Sequence, residues 1–331
     1  MKMNMKELGL GFNLGDSLDC NSYYFPLNHN ENWETSWGNK KITKELIQLI
    51  KSKGFKTIKV PVSWNEHLMY DTKVNEWHIE DWFINRVKEV VDLILGEDLY
   101  CVINIHHDTD WITGSMDNNY VLQRFEILWG LIAKAFKGYS SKLLFESMNE
   151  VGFADSNMGF HHQLNQSFCD IIREVEGNSD RTLLIEGVFA DPSSTLLRFK
   201  PVDDDNYAIA VHFYTPIPYC TNPTPEVPYE TSVLADIAKT DIENLQNIKD
   251  KYNVDVVLTE FGCARGTKEE DAVLKWYQIV LAYCAEYGIP AIMWDDGKES
   301  SEVLSRNNGM TELLPGFMSL LDQYNETLNK I

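Results

Sequence analysis

Eight short apolar runs recur along the chain, each followed by a longer segment whose apolar residues return at helical spacing, and this alternation constrains the fold more than any single motif. The runs lie at 11–15, 57–62, 100–106, 143–148, 182–185, 208–213, 255–258 and 291–294. They are long enough for strands and too short for helices. Between them stand patterns such as "TKELIQLIKSKG", in which Leu46, Ile47, Leu49 and Ile50 make an apolar stripe and Gly54 offers a C-terminal cap. Further helices are expected at 82–95, 121–136, 160–175, 232–252, 269–287 and 317–328, with one or two turns in "DPSSTLLRFKP" after the fifth run. Strand and helix in strict alternation imply a parallel sheet covered by helices. Eight such units predict an α/β fold, a single (β/α)8 TIM barrel over 1–331, since barrels of this kind absorb chains of this length as one unit.

The last residues of barrel strands converge on one face, where function is usually sited. Asn13 ends the first run, and Lys59 and Trp64 belong to the second and the turn beyond it. His106, His107 and Asp108 end the third, Asn149 and Glu150 the fourth, and His212 and Tyr214 the sixth. Glu260 follows the seventh in "LTEFG", and Trp294 ends the eighth in "IMWDDG". The stretch "TPIPYCTNPTPEVP" after the sixth run holds five prolines, whose fixed φ and missing donors predict a long, stiff loop at that mouth without regular structure.

Composition removes several classes of partner. The chain is 44% hydrophobic and 24% charged, enough for a large core and too little charge for disorder. A net charge of −21 repels phosphate backbones and anionic membrane surfaces, so neither nucleic acid nor membrane is expected, and a neutral substrate fits best. No window approaches the apolar length of a membrane span, and the opening "MKMNMKELGLGFNLG" lacks the pattern of a secretory signal. A cytoplasmic monomer is the expectation, with a secreted protein whose signal was removed as the alternative. Cys20, Cys101, Cys169, Cys220, Cys263 and Cys284 form no C-x-x-C pair and read as buried hydrophobes or free thiols.

The ordered stretches "GFNLGDSLD", "KGFKTIKVPVSW", "VINIHHD", "LLFESMNEV", "VHFYTP", "LTEFG" and "MWDDG" resemble glycoside hydrolase family 5, the cellulase family of retaining (β/α)8 glycosidases, over essentially the whole chain. The resemblance implies that Glu150 is the general acid/base and Glu260 the nucleophile. It gives Asn149 the grip on the sugar 2-hydroxyl, His106, His212 and Tyr214 the orienting of carboxylates and substrate, and Trp294 the floor of the subsite where the bond breaks. A retaining endo-β-1,4-glucanase acting on cellulose-type glucan or cello-oligosaccharide is thereby implied, without cofactor or separate carbohydrate-binding module. β-Mannan, xyloglucan and mixed-linkage glucan remain open as substrates. A noncatalytic carbohydrate-binding barrel is the rival from another class.

The chemistry needs the same pair, because an oxocarbenium-like transition state wants an anion on one face and a proton donor at the departing oxygen. A bell-shaped pH profile follows. Glu146, four residues before Glu150 on the same strand face, reads as a buried, paired structural group. His106 and His107, being adjacent, should leave opposite strand faces, and no H-x-H occurs, so no metal is expected. Trp294, Trp37 and Trp111 are candidates for stacking on sugar rings, whereas Trp82, Trp129 and Trp276 lie in helical patterns and should pack. The chain departs from the family at Lys59, where Arg is usual, and at Asp16, Val151 and Met293, where Asn, Pro and Trp are common.

Overall fold

The computed structural model describes residues 3–21, 33–114, 117–225 and 230–330. Its strands β1 (Leu10–Asn13), β2 (Thr57–Val60), β3 (Tyr100–Asn104), β4 (Leu143–Glu146), β5 (Leu183–Glu186), β6 (Tyr207–Phe213), β7 (Val256–Phe261) and β8 (Ala291–Met293) run parallel. They close in chain order, β1 pairing with both β2 and β8. The expected barrel is what the chain forms.

Alternation along these strands builds two layers inside the barrel. Val102, Leu144, Leu184, Ala210 and Ile292 form a small buried cluster, joined by Met5 and Leu8 of the 3₁₀ turn before β1. Two residues further along the same strands stand Asn104, Glu146, Glu186, His212 and Trp294, all but the last buried. The interior therefore changes from apolar to polar toward the C-terminal mouth. The opposite faces, carrying Ile103, Phe145, Ile185, Ile209 and Leu258, pack into the main core under the helices.

Strand β7 breaks this parity. Leu258 pairs with Val211 and Ala291, yet Glu260 pairs with His212 and Phe261 with Met293, so β7 carries one residue more than either neighbour. A bulge of this kind re-aims the residues beyond it. Val257 faces the interior and Leu258 the helices; strict alternation would send Glu260 outward with Leu258, but the bulge at Thr259 turns it into the mouth.

The helices follow their stripes. Lys44–Ser52 starts at Thr43, whose side chain accepts the Leu46 N–H, and buries Ile47 and Ile50. The expected helix at 232–252 is two, Thr231–Ile242 and Asn244–Tyr252, parted at Glu243 without any Pro or Gly to signal it. The proline-rich stretch, expected to be wholly irregular, contains a short helix: Ile217–Cys220 has Pro218 in its first turn, where a missing N–H costs nothing. Its last proline, Pro228, lies outside the described residues. Trp129 and Trp276 are buried, but Trp82 is 40% exposed. A hairpin of Leu68–Asp71 with Glu76–Ile79 adds to the expected elements. All six cysteines are buried and free. Among the described residues no helix is long and apolar enough to cross a membrane.

Candidate active site

Glu150 and Glu260 meet at the barrel mouth through His212. Its Nδ1 lies 2.9 Å from Glu150 Oε1 and 3.5 Å from Glu260 Oε2, and one atom of each of the three side chains lies within 4.8 Å of the others. Tyr214 Oη donates to Glu260 Oε2 at 3.1 Å, and Lys59 Nζ donates to Glu260 Oε1 at 3.0 Å. Lys59 is wholly buried and also contacts Glu146 Oε2 at 2.7 Å, which makes Glu146 the paired structural group its position suggested. Burial pushes the Lys59 ammonium toward neutrality, but the Glu146 and Glu260 carboxylates outweigh it and hold its pKa above the ordinary value.

Charge is divided unequally. Burial pulls the His212 pKa down, yet the Glu260 charge and the hydrogen bond to Glu150 raise it above 6.5. For Glu150, half exposed at the rim, the burial that would raise its pKa is outweighed by the His212 hydrogen bond and charge, and the carboxyl lies below its ordinary value. Burial, then the positive fields of His107, Lys59 and His212, keep His106 well below 6.5 and so neutral. Its Nδ1 stands 3.2 Å from Asn104 Nδ2, leaving Nε2 as the protonated nitrogen. Its ring stacks on Trp294 at 5.6 Å and 6°.

The two carboxylates open on a cleft of about 740 Å³, lined also by His106, His107, Asn149, Tyr214 and Trp294. His107 also lines a neighbouring hollow of about 320 Å³ that contains Trp111. Trp111 donates to Asp108 and lies under the Arg124 guanidinium, while Trp37 packs against His107 with centroids 5.5 Å apart. Neither Trp37 nor Trp111 lines the larger cleft, so the site as expected divides into a centre and a flank.

Two expectations need correction. Asn13 is not at the surface of the cleft: it is fully buried, and its Nδ2 faces the carbonyls of Thr259, Ile292 and Met293, tying β1 to β7 and β8 beneath the site. His106 and His107 do not leave opposite faces, because β3 ends at Asn104 and the turn beyond it brings their rings to 4.5 Å. Together with Asp19 they form a group whose donor atoms lie within 4.8 Å of one another, as do Glu150, His212 and Glu260, so each trio could hold a metal ion. Burial would lower the His107 pKa, but Asp19, 3.6 Å away, raises it.

Three residues of the site escaped the sequence reading. Asp19 accepts the Asp16 and Ser17 N–H groups; Phe189, 43% exposed, lines the cleft; and Glu186, fully buried, accepts the N–H of Val151 at 2.8 Å. Glu186 was within reach, since "LLIE" repeats the "LLFE" pattern that places Glu146 inside the barrel.

A closed barrel of eight parallel strands with two facing carboxylates in an aromatic-lined cleft at the strands' C-terminal ends defines the class of barrel glycoside hydrolases. The sequence pattern of the cellulase family, glycosyl hydrolase family 5, matches residues 20–300, and the chain belongs to that family. It is 33% identical over 310 residues to Endoglucanase A of Clostridium longisporum, covering 88% of this chain and 58% of that protein. With Endoglucanase A of Ruminococcus albus it shares 30% over 313 residues, 89% of this chain and 83% of the relative. The solved structure of a GH5-4 broad specificity endoglucanase from Ruminococcus champanellensis with bound cellotriose superposes with a TM-score of 0.85 at 26% identity, over 96% of each chain.

Proposed function

We propose that this chain is a retaining endo-β-1,4-glucanase that cleaves cellulose-type glucan or cello-oligosaccharide by double displacement on Glu150 and Glu260. The observation that carries this reading is the separation of the two carboxylates, with one oxygen of each within 4.8 Å of the other. Retaining sites place their carboxyl groups about 5 to 5.5 Å apart, whereas inverting sites leave about 6.5 to 9.5 Å for a water. Glu260, held by Lys59 and Tyr214, attacks the anomeric carbon as the bond to the departing oxygen breaks. Glu150 delivers to that oxygen the proton held between it and His212. Esterification of Glu260 removes the negative charge that stabilises protonated His212, so delivery becomes easier as the ester forms. Water then attacks the anomeric carbon, Glu150 takes its proton, and Glu260 is released.

The neutral Nε2–H of His106 and the amide of Asn149 face the cleft as hydrogen-bond donors to sugar hydroxyls, and Trp294 offers a flat apolar face. The cellotriose-bound relative is a broad specificity endoglucanase, which favours testing β-mannan, xyloglucan and mixed-linkage glucan as further substrates of this chain. Incubation with an aryl β-cellobioside tests the reading. Steady release of phenol by the wild type and none by Glu260→Gln supports it; saturable binding without release would make the chain a carbohydrate-binding barrel.

A further inference from the structure

Glu150 holds a backbone conformation that residues with a side chain rarely adopt, with φ at 55°. Strain of this kind persists only where the surroundings impose it. Both neighbouring peptide groups are tied. The Asn149 carbonyl accepts from Thr109 Oγ1 at 2.5 Å, the Val151 N–H donates to Glu186 Oε1 at 2.8 Å, and the Val151 carbonyl accepts from the Phe189 N–H at 2.9 Å.

Among these ties the Glu186 carboxyl is the one made by a buried side chain that is itself anchored. The Glu186 N–H donates to Ser147 Oγ, Ser147 Oγ donates to Asn165 Oδ1, and Asn165 Nδ2 donates to the Glu186 carbonyl. Burial, then the charges of Glu146 and Glu150, push the Glu186 carboxyl well above its ordinary pKa, which favours its neutral form beside Glu150. A proline at 151, the residue common there in the family, would have no N–H to give; the tie belongs to this chain's pairing of Val151 with Glu186.

We propose that Glu186 is a positioning residue, whose hold on the Val151 N–H fixes the Glu150 backbone so that the Glu150 carboxyl is aimed at His212 and the departing oxygen. The inference rests on the acid/base reading of Glu150 given above.

Two substrates isolate that role. Phenyl β-cellobioside needs a proton at its leaving oxygen; 2,4-dinitrophenyl β-cellobioside departs unaided. With the full chain, Glu186→Leu is expected to lower kcat/KM about 30-fold on the first and less than about threefold on the second, a partial loss of the roughly 10²- to 10⁴-fold that a positioned acid contributes. The conservative Glu186→Gln keeps a neutral carbonyl acceptor and is expected to restore the phenyl rate to within about threefold of wild type. Should Glu186→Leu fail to fold, Glu186→Met, close to glutamate in length and volume but without an oxygen acceptor for the Val151 N–H, is expected to give the same split. Equal losses on both substrates, no loss on either, or Gln no better than Leu would overturn the positioning role while leaving the two-carboxylate reading in place. A wild type inactive on both substrates would overturn both.

Discussion

Nζ of Lys59 lies 3.0 Å from Oε1 of Glu260, with the lysine wholly out of solvent and the carboxylate nearly so. An arginine there would offer a planar fork; the lysine supplies a single point charge, which it divides between Glu260 and Glu146 at 2.7 Å. Replacing it with Met leaves buried Glu146 without its cation and Glu260 with His212 as its remaining cationic partner, which favours uptake of a proton by one of the carboxylates. Lys59→Met is therefore expected to lower kcat/KM at pH 7 by about 100-fold and stability by about 3 kcal/mol. Its acid limb should move to higher pH, since loss of a nearby positive charge raises a carboxyl pKa. A pH–rate profile with an unmoved acid limb would remove Lys59 from the control of Glu260.

The pairing of His212 with Glu150 gives stability a definite pH dependence. His212 has its folded pKa raised above the ordinary 6.5, so its contribution is fully present below that value and is lost as pH rises through the folded pKa. Glu150, lowered below 4.5, contributes above that value and loses the contribution as pH falls through its folded pKa. Melting temperatures measured from pH 4 to 9 should fall on the alkaline side in the wild type and flatten there in His212→Asn. An unchanged alkaline slope in the variant would show that the pair does not titrate as described.

Asn13 shows how the sequence could mislead. Its place at the end of β1 suggested contact with sugar, but parity and the short strand put its amide under the mouth, against three main-chain carbonyls. Asn13→Ala should cost about 2 kcal/mol in chemical denaturation, as buried acceptors lose their donor. KM for cello-oligosaccharides should stay within about twofold, because no direct contact with sugar is lost. A large KM increase with unchanged stability would return Asn13 to the cleft.

The ring of Trp294 stacks on His106, and Gly15 allows it that place, since a Cβ at Gly15 would stand 2.5 Å from the ring. If this ring is the sugar floor, Trp294→Ala in a Glu260→Gln background should weaken cellotetraose binding by about 2 kcal/mol, roughly 30-fold in Kd by calorimetry. Unchanged affinity would move the sugar off this ring.

The barrel was legible because both layers of its interior are written as alternation. "LLFE" and "YCVIN" end polar at the mouth, and "YAIAVHF" carries inward-facing His212 one residue before its end. The chemistry was legible because carboxylates, imidazoles and indoles gathered at those ends. What alternation cannot carry is a change of parity. No residue in "DVVLTEFG" announces the bulge at Thr259 that turns Glu260 inward; its place at the mouth was read from its position just beyond the seventh run, and its role from the resemblance. Likewise the turn after Asn104 reverses the adjacent-residue rule for His106 and His107. The repeat of "LLFE" in "LLIE" put Glu186 inside the barrel within reach of the sequence, but its hold on the Val151 N–H was not, because main-chain donors leave no mark there.

The direct test of double displacement is to trap its ester. Incubation with 2,4-dinitrophenyl 2-deoxy-2-fluoro-β-cellobioside, followed by peptide mass spectrometry, should show one fluorocellobiosyl group per chain, attached to Glu260, with hydrolysis of cello-oligosaccharides releasing the β-anomer first by NMR. An unlabelled Glu260 together with initial release of the α-anomer would contradict the mechanism.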